Sequence, residues 1–168
     1  MAITVPEPWG ERLQEQRAGF GDALAWTIPT HITLLPPTQV PAGRIGKVDE
    51  HLKASAASCQ PFTAVLNGSA TFRPVSQTSF LVVQQGTSEC EELAAKVRSE
   101  PLRRRLTFPF HPHVTIAVDL ADQLHDHAEA EFADYRLEFP VTHIERYALA
   151  EHGVWESVAT FPLLGAHG

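Results

Sequence analysis

His31, Thr33, His113 and Thr115 are the residues whose types and spacing best suit chemistry. They stand in two short words, His31-Ile32-Thr33-Leu34 and His113-Val114-Thr115-Ile116, each with apolar residues interleaved. Side chains alternate faces along a strand, so each word sets a His and a Thr on one face and two apolar residues on the other. With 9 His and 13 Thr in 168 residues, a bare His-x-Thr triplet is expected roughly 0.7 times by chance. Requiring apolar residues at both interleaved positions lowers that to roughly 0.13, and two copies then have odds of roughly one in a hundred. Two imidazoles of ordinary pKa, near ~6.5, can stand one neutral and one protonated at neutral pH, the condition for removing one proton while delivering another. Two hydroxyls on the same faces suit the non-bridging oxygens of a tetrahedral phosphoryl group. The chemistry this implies is phosphate ester cleavage: one His takes a proton from water, the other protonates the leaving oxygen, and the Thr hydroxyls hold the phosphoryl oxygens without a metal.

The elements that must position these words repeat. A helix is expected from Pro8 to Phe20, then an extended stretch through Trp26 into the first word, which Pro36-Pro37 ends. Ile45, Val48, Leu52 and Ala56 recur at helical spacing, and three β-favouring segments follow, Phe62 to Leu66, Ala70 to Phe72 and Ser79 to Val83, with Asn67-Gly68 as a hairpin signal. In the second half Cys90, Leu93, Ala94 and Val97 form a helical stripe opened by a Ser88/Glu91 capping box. After the second word come a helix from Leu120 to Phe132 and strands near Tyr135 to Phe139, Ile144 to Leu149 and Trp155 to Phe161. The words lie 82 residues apart, near half the chain, so an internal duplication is the economical reading. The expected fold class is α+β: one bilobal domain over 1–168, with repeats at about 8–84 and 87–162. Two antiparallel sheets related by a pseudo-two-fold would flank a central groove, with helices outside.

Composition narrows the function. At 43% apolar residues the chain can bury a real core, and a net charge of -7 argues against a broad electropositive surface for long duplex nucleic acid. A small anionic ligand or an RNA end fits. Cys59 and Cys90 are expected to pack rather than to pair or bind metal. No leader pattern and no run of 18 apolar residues occur, so a cytoplasmic protein without a membrane partner is expected, and a monomer.

Read with Pro112 and the Phe108 to Phe110 approach, the two words resemble the paired His-x-Thr-x motifs of the 2H phosphoesterase superfamily, whose 2′-5′ RNA ligase-like branch is its best-known part. The resemblance implies a bilobal α+β fold around a groove and action on 2′,3′-cyclic phosphates, related cyclic phosphodiesters or 2′-5′ linkages of a nucleotide or RNA end. It makes His31 and His113 the acid-base pair and Thr33 and Thr115 the phosphate ligands, and leaves open which His is acid. No cofactor is implied.

Other residues carry weaker signals. Arg103-Arg104-Arg105 is a dense basic run before the second word, and Arg105, nearest to it, is a candidate cation for substrate phosphate. Phe110, Tyr147 and Trp155, with Phe108, are candidate base-stacking surfaces, though core packing competes for each. His111-x-His113 and His125-x-His127 invite a zinc reading, weakened because i and i+2 diverge on a helix and a metal-bound His cannot shuttle a proton. His51, His143, His152 and His167 have no motif around them. Three alternatives stand beside the phosphodiesterase: a binding module holding a nucleotide or phosphometabolite without turnover, a 2′-5′ RNA ligase, and a zinc-dependent hydrolase.

Overall fold

In a computed structural model that describes residues 1–165, the apolar positions of the two words drive the architecture. Ile32, Leu34, Val114 and Ile116 are at most 1% exposed and share one core with helix residues Leu13, Leu52, Leu93 and Phe132. The elements run β1 (Ala2–Thr4), α1 (Trp9–Gly19), β2 (His31–Thr33), α2 (Ile45–Ala57, entered through a 3-10 turn at Ala42–Arg44), β3 (Phe62–Thr71), β4 (Thr78–Gln85), α3 (Thr87–Val97), β5 (His113–Val118), α4 (Asp122–Glu131), β6 (Arg136–Val141), β7 (His143–Leu149) and β8 (Trp155–Pro162). The fold is α+β, with four α-helices against a curled antiparallel sheet.

The eight strands form one continuous sheet, in the order β6-β3-β4-β5-β2-β1-β7-β8, where two sheets were expected. The seam is the pairing of β2 with β5 at Ile32 and Val114, which joins the two words at the middle of the sheet. No local pattern announces a pairing between strands so far apart in sequence. The helices cover the apolar face: α1 packs on β5, α3 on β4, α4 on β3 to β5, and α2 on α3 and β8. The opposite face is left open at the seam.

Four local expectations are corrected. Asn67-Gly68 is a bulge inside β3, not a hairpin, so Phe62–Thr71 is one strand rather than two. Gly68, at φ +70, donates its N–H to the Tyr135 carbonyl across the β6 edge, and the real reversal lies at 72–77. Ser88 is no cap, because α3 starts one residue earlier behind Gly86, whose φ of +89 and close approach to Phe62 leave little room for a side chain. The stretch before β2 is turns rather than strand: buried Asp22 accepts the Arg17 guanidinium at 2.6 Å and the Leu24 N–H at 2.9 Å, holding the loop at one end of the seam. β1 was not anticipated at all, and it pairs with β2 through Ala2 to Thr33 and Thr4 to His31. Cys59 and Cys90 are buried free thiols. His167 lies outside the described residues.

Candidate active site

Antiparallel register fixes the arrangement of the four polar residues. With Ile32 opposite Val114, one residue either way sets His31 across from Thr115 and Thr33 across from His113. The two imidazoles and two hydroxyls therefore alternate around a quadrilateral on the open face. All four line a single groove of about 930 Å³, together with Arg17, Arg146, Tyr147 and Trp155 among others.

The two imidazoles are held in the same way. The Pro29 carbonyl accepts from His31 Nδ1 at 2.8 Å, and the His111 carbonyl accepts from His113 Nδ1 at 2.7 Å, in each case the residue two before the ring. A carbonyl only accepts, so Nδ1 carries the hydrogen and Nε2 of the neutral ring is left as the basic nitrogen. Within the groove the Thr33 hydroxyl lies 3.0 Å from His31 Nε2 and can donate to it. Burial pulls the His31 pKa from 6.5 down to about 4, aided by the nearby amino terminus and Arg17, and opposed by the bond to Pro29. His113 is also lowered, chiefly by burial and in smaller part by His111. Both rings are thus held toward the neutral form in the free protein.

Aromatic packing sets His113. Phe72 and Phe80 stack at 4.2 Å, and His113 stands edge-on to Phe72 at 5.1 Å and tilted to Phe80 at 5.2 Å. Phe80 lies across from Thr115 in the β4–β5 ladder, which brings it under the second word. On the other flank Thr4 and Tyr147 share a hydrogen bond of 2.6 Å, and burial pushes the Tyr147 phenol up to about 12, so it stays protonated. Arg146 lines the groove while both arms of its guanidinium grip Asp49 at 2.7 and 3.0 Å.

Of the residues singled out from sequence, His31, Thr33, His113, Thr115, Tyr147 and Trp155 come together in the groove. Arg105 is exposed in the loop before β5 and is not among the groove-lining residues. Phe110 packs against the core with the Arg98 guanidinium 4.7 Å above its ring, away from the groove lining. His125 is buried on α4 and bonded through Nδ1 to Ser79, while His127 is exposed and faces Glu131. Among the described residues no group of three or more His, Cys, Asp or Glu is gathered as a metal site. Sequence reasoning missed Arg17, Arg146, Phe72 and Phe80. None lies in a motif, and each reaches the site through contacts between segments far apart in the chain.

The model of the 2′-5′ RNA ligase superfamily matches residues 5–153. The chain belongs to that superfamily, a branch of the 2H phosphoesterases. A Bacillus licheniformis protein named provisionally as a phosphoesterase is 28% identical over 141 residues, covering 83% of this chain and 82% of its own length. An RNA 2′,3′-cyclic phosphodiesterase of Geobacillus stearothermophilus is 30% identical over 147 residues, which cover 81% of this chain and 46% of that protein. Among solved structures, E. coli LigT complexed with 3′-AMP superposes with a TM-score of 0.68 at 19% identity, covering 96% of this chain and 95% of LigT. A Thermus thermophilus protein gives 0.65 at 23% identity, covering 99% and 97%. These two likenesses bear on the fold of this superfamily member. No helix among its described residues is long and apolar enough to cross a membrane.

Proposed function

We propose that this protein hydrolyses a 2′,3′-cyclic or 2′-linked phosphodiester at the end of a nucleotide or RNA, without a metal, using His31 and His113 as the acid-base pair and Thr33 and Thr115 as phosphate ligands. The observation that carries this reading is the alternation of two His and two Thr across the β2–β5 seam, with both Nδ1 atoms fixed by backbone carbonyls. It is supported by the name of the Geobacillus relative and by the 3′-AMP, NADP+ and phosphate held by LigT. The same reading treats residues 1–168 as one domain grown from two lobes, each bringing one word to the seam.

We assign the two roles from what stands around each ring. His31, which burial lowers to about 4 with Arg17 nearby, acts as base, and His113 carries the single proton. The negative phosphodiester entering between them favours that imidazolium. His31 Nε2 takes a proton from water, the water oxygen bonds to phosphorus, and the bond to one ribose oxygen breaks. His113 Nε2 gives that oxygen its proton, leaving a phosphomonoester and a free hydroxyl. Thr33 and Thr115 donate to the non-bridging oxygens as their charge grows.

Phosphorus NMR of 2′,3′-cyclic AMP with the protein and EDTA tests this directly. The resonance of the five-membered cyclic diester should give way to one phosphomonoester, and a cyclic resonance unchanged after prolonged incubation would contradict the reading.

A further inference from the structure

The groove is polarised end to end. Toward the start of β2 it is lined by Leu24, Thr27, Ile28, Leu149 and Trp155, with the Trp155 backbone N–H bonded to the Thr27 carbonyl at 2.7 Å, and Arg17, the cation at that end of the lining, is neutralised by buried Asp22 at 2.6 Å. Beyond Thr33 the chain runs the other way into 36–48, and because β5 is antiparallel, the loop leading into His113 arrives at that same end. Arg104 ties these loops together by donating to the Pro37 carbonyl at 2.8 Å. A second cavity of about 290 Å³ opens there, lined by Arg44, Lys47 and Arg103, and it shares Thr38, Gln39, Val40, Val48 and Leu102 with the groove.

Cations gather at this end against the charge of the whole chain. The net charge is -7, yet five of its 13 Lys and Arg, namely Arg44, Lys47, Arg103, Arg104 and Arg105, sit on these two loops and the first turn of α2, all exposed. Of the acidic groups closest in sequence, Asp49 is held by Arg146, Glu100 stands 4.0 Å from Arg103 with both side chains exposed, and Glu50 is exposed on α2 and ion-paired with none of these cations. Among the described residues no carboxylate is ion-paired with Arg44, Lys47, Arg104 or Arg105. Desolvated pairs would serve stability. Unpaired exposed cations around a concave site adjoining a phosphate-handling groove serve an anion.

We propose that this second cavity takes the phosphate on the 5′ side of the terminal nucleotide, so that the preferred substrate is a single-stranded RNA end of two or more nucleotides rather than a mononucleotide. The proposal rests on the phosphodiesterase reading for where the terminal phosphate sits. Arg44, Lys47 and Arg103 meet the neighbouring phosphodiester, and the apolar end meets the terminal nucleoside. The acidic remainder of the surface repels a long duplex, which keeps recognition to the first linkages of a flexible end.

Calorimetry separates this from the catalytic claim, because its probes carry an already open terminal phosphate and need no turnover. The probes are 3′-AMP and the dinucleotide ApA bearing a 3′-phosphate, each titrated into the wild type and into the triple variant Arg44→Gln, Lys47→Gln, Arg103→Gln, with Arg136→Gln on the distant β6 as a charge control. The wild type should bind the dinucleotide at least about tenfold more tightly, with the preference shrinking as salt rises. The triple variant should bring the ratio toward one, and the control should leave it. A 5′-phosphorylated 3′-AMP distinguishes a free terminal phosphate as the source: tighter binding than the dinucleotide would overturn the strand assignment. Equal affinity of the wild type for 3′-AMP and the dinucleotide, or a ratio unmoved in the triple variant, would overturn the subsite even if cyclic AMP is turned over. A ratio that behaves as stated without any turnover would instead sink the catalytic reading alone.

Discussion

Lowering the pH from 8 to 5 tests the environment of His31 with no substrate present. The folded ring is lowered from 6.5 to about 4, chiefly by burial. The unfolded chain's imidazole titrates near ~6.5, so as pH falls through that value the unfolded state takes up a proton that the folded state refuses. Stability from this residue is therefore present above about pH 6.5 and is lost as the pH drops toward 4. For these two pKa values the loss by pH 5 is about 2 kcal/mol, a ceiling because the ring borders an open groove. Urea unfolding of the wild type and of His31→Asn at both pH values isolates the term, since the carboxylates common to the two proteins cancel. The difference should shift in favour of the variant by up to about 2 kcal/mol at pH 5, and the His31 Cε1 resonance should stay flat down to that pH. A difference independent of pH, or a His31 midpoint at 6.5, would refute the assigned burial and with it the assignment of His31 as base.

Because both rings are lowered in the free protein, kcat/KM for a cyclic phosphate should trace a bell whose maximum lies on the acid side of 6.5, while kcat, measured with the anion bound, should peak at higher pH. Coincident profiles centred above 7 would contradict this. Thr33→Val and Thr115→Val should each lower kcat by about 10²-fold with thermal stability nearly unchanged, since each loses a donor to the growing phosphoryl charge. Ile32→Ala, fully buried at the seam, should cost about 2 to 5 kcal/mol in urea unfolding. Arg17→Met should cost about 3 to 5 kcal/mol by leaving buried Asp22 uncompensated, with Asp22→Asn in the same background recovering much of the loss.

That His31, Thr33, His113 and Thr115 share the open face of two strands was legible because the signal is local. A His and a Thr at strand period, with Ile32 or Val114 between them, specify a face without any knowledge of the partner strand, and α2, α3, α4 and β6 to β8 carry their periodicity within one segment. What escaped depends on contacts far apart in sequence. β1 is three residues long, too short for a period, and exists because it fits between β2 and β7. Asn67-Gly68 has the composition of a turn, yet Arg136 of β6 pairs with Asn67 and the preceding Tyr135 carbonyl accepts from Gly68, which turns the same φ preference into a bulge. The single sheet follows from the Ile32 to Val114 pairing, and the cationic end of the groove from loops around residues 40 and 103 meeting beside it. Arg105 was favoured by its nearness in sequence to His113, whereas the loop's path gives Arg103 the cavity and Arg104 the tie to Pro37.

On the proposed mechanism two histidines across one strand pair perform the reaction between them. Its most direct test is the initial rate of 2′,3′-cyclic AMP hydrolysis in EDTA by the wild type, His31→Asn, His113→Asn and the double variant, each shown folded by its thermal transition. The wild type should turn over, either single variant should lose about 10² to 10⁴-fold, and the double should lose little more, because the two rings act as one device. Full activity in either single variant, or wild-type activity abolished by the chelator, would contradict it.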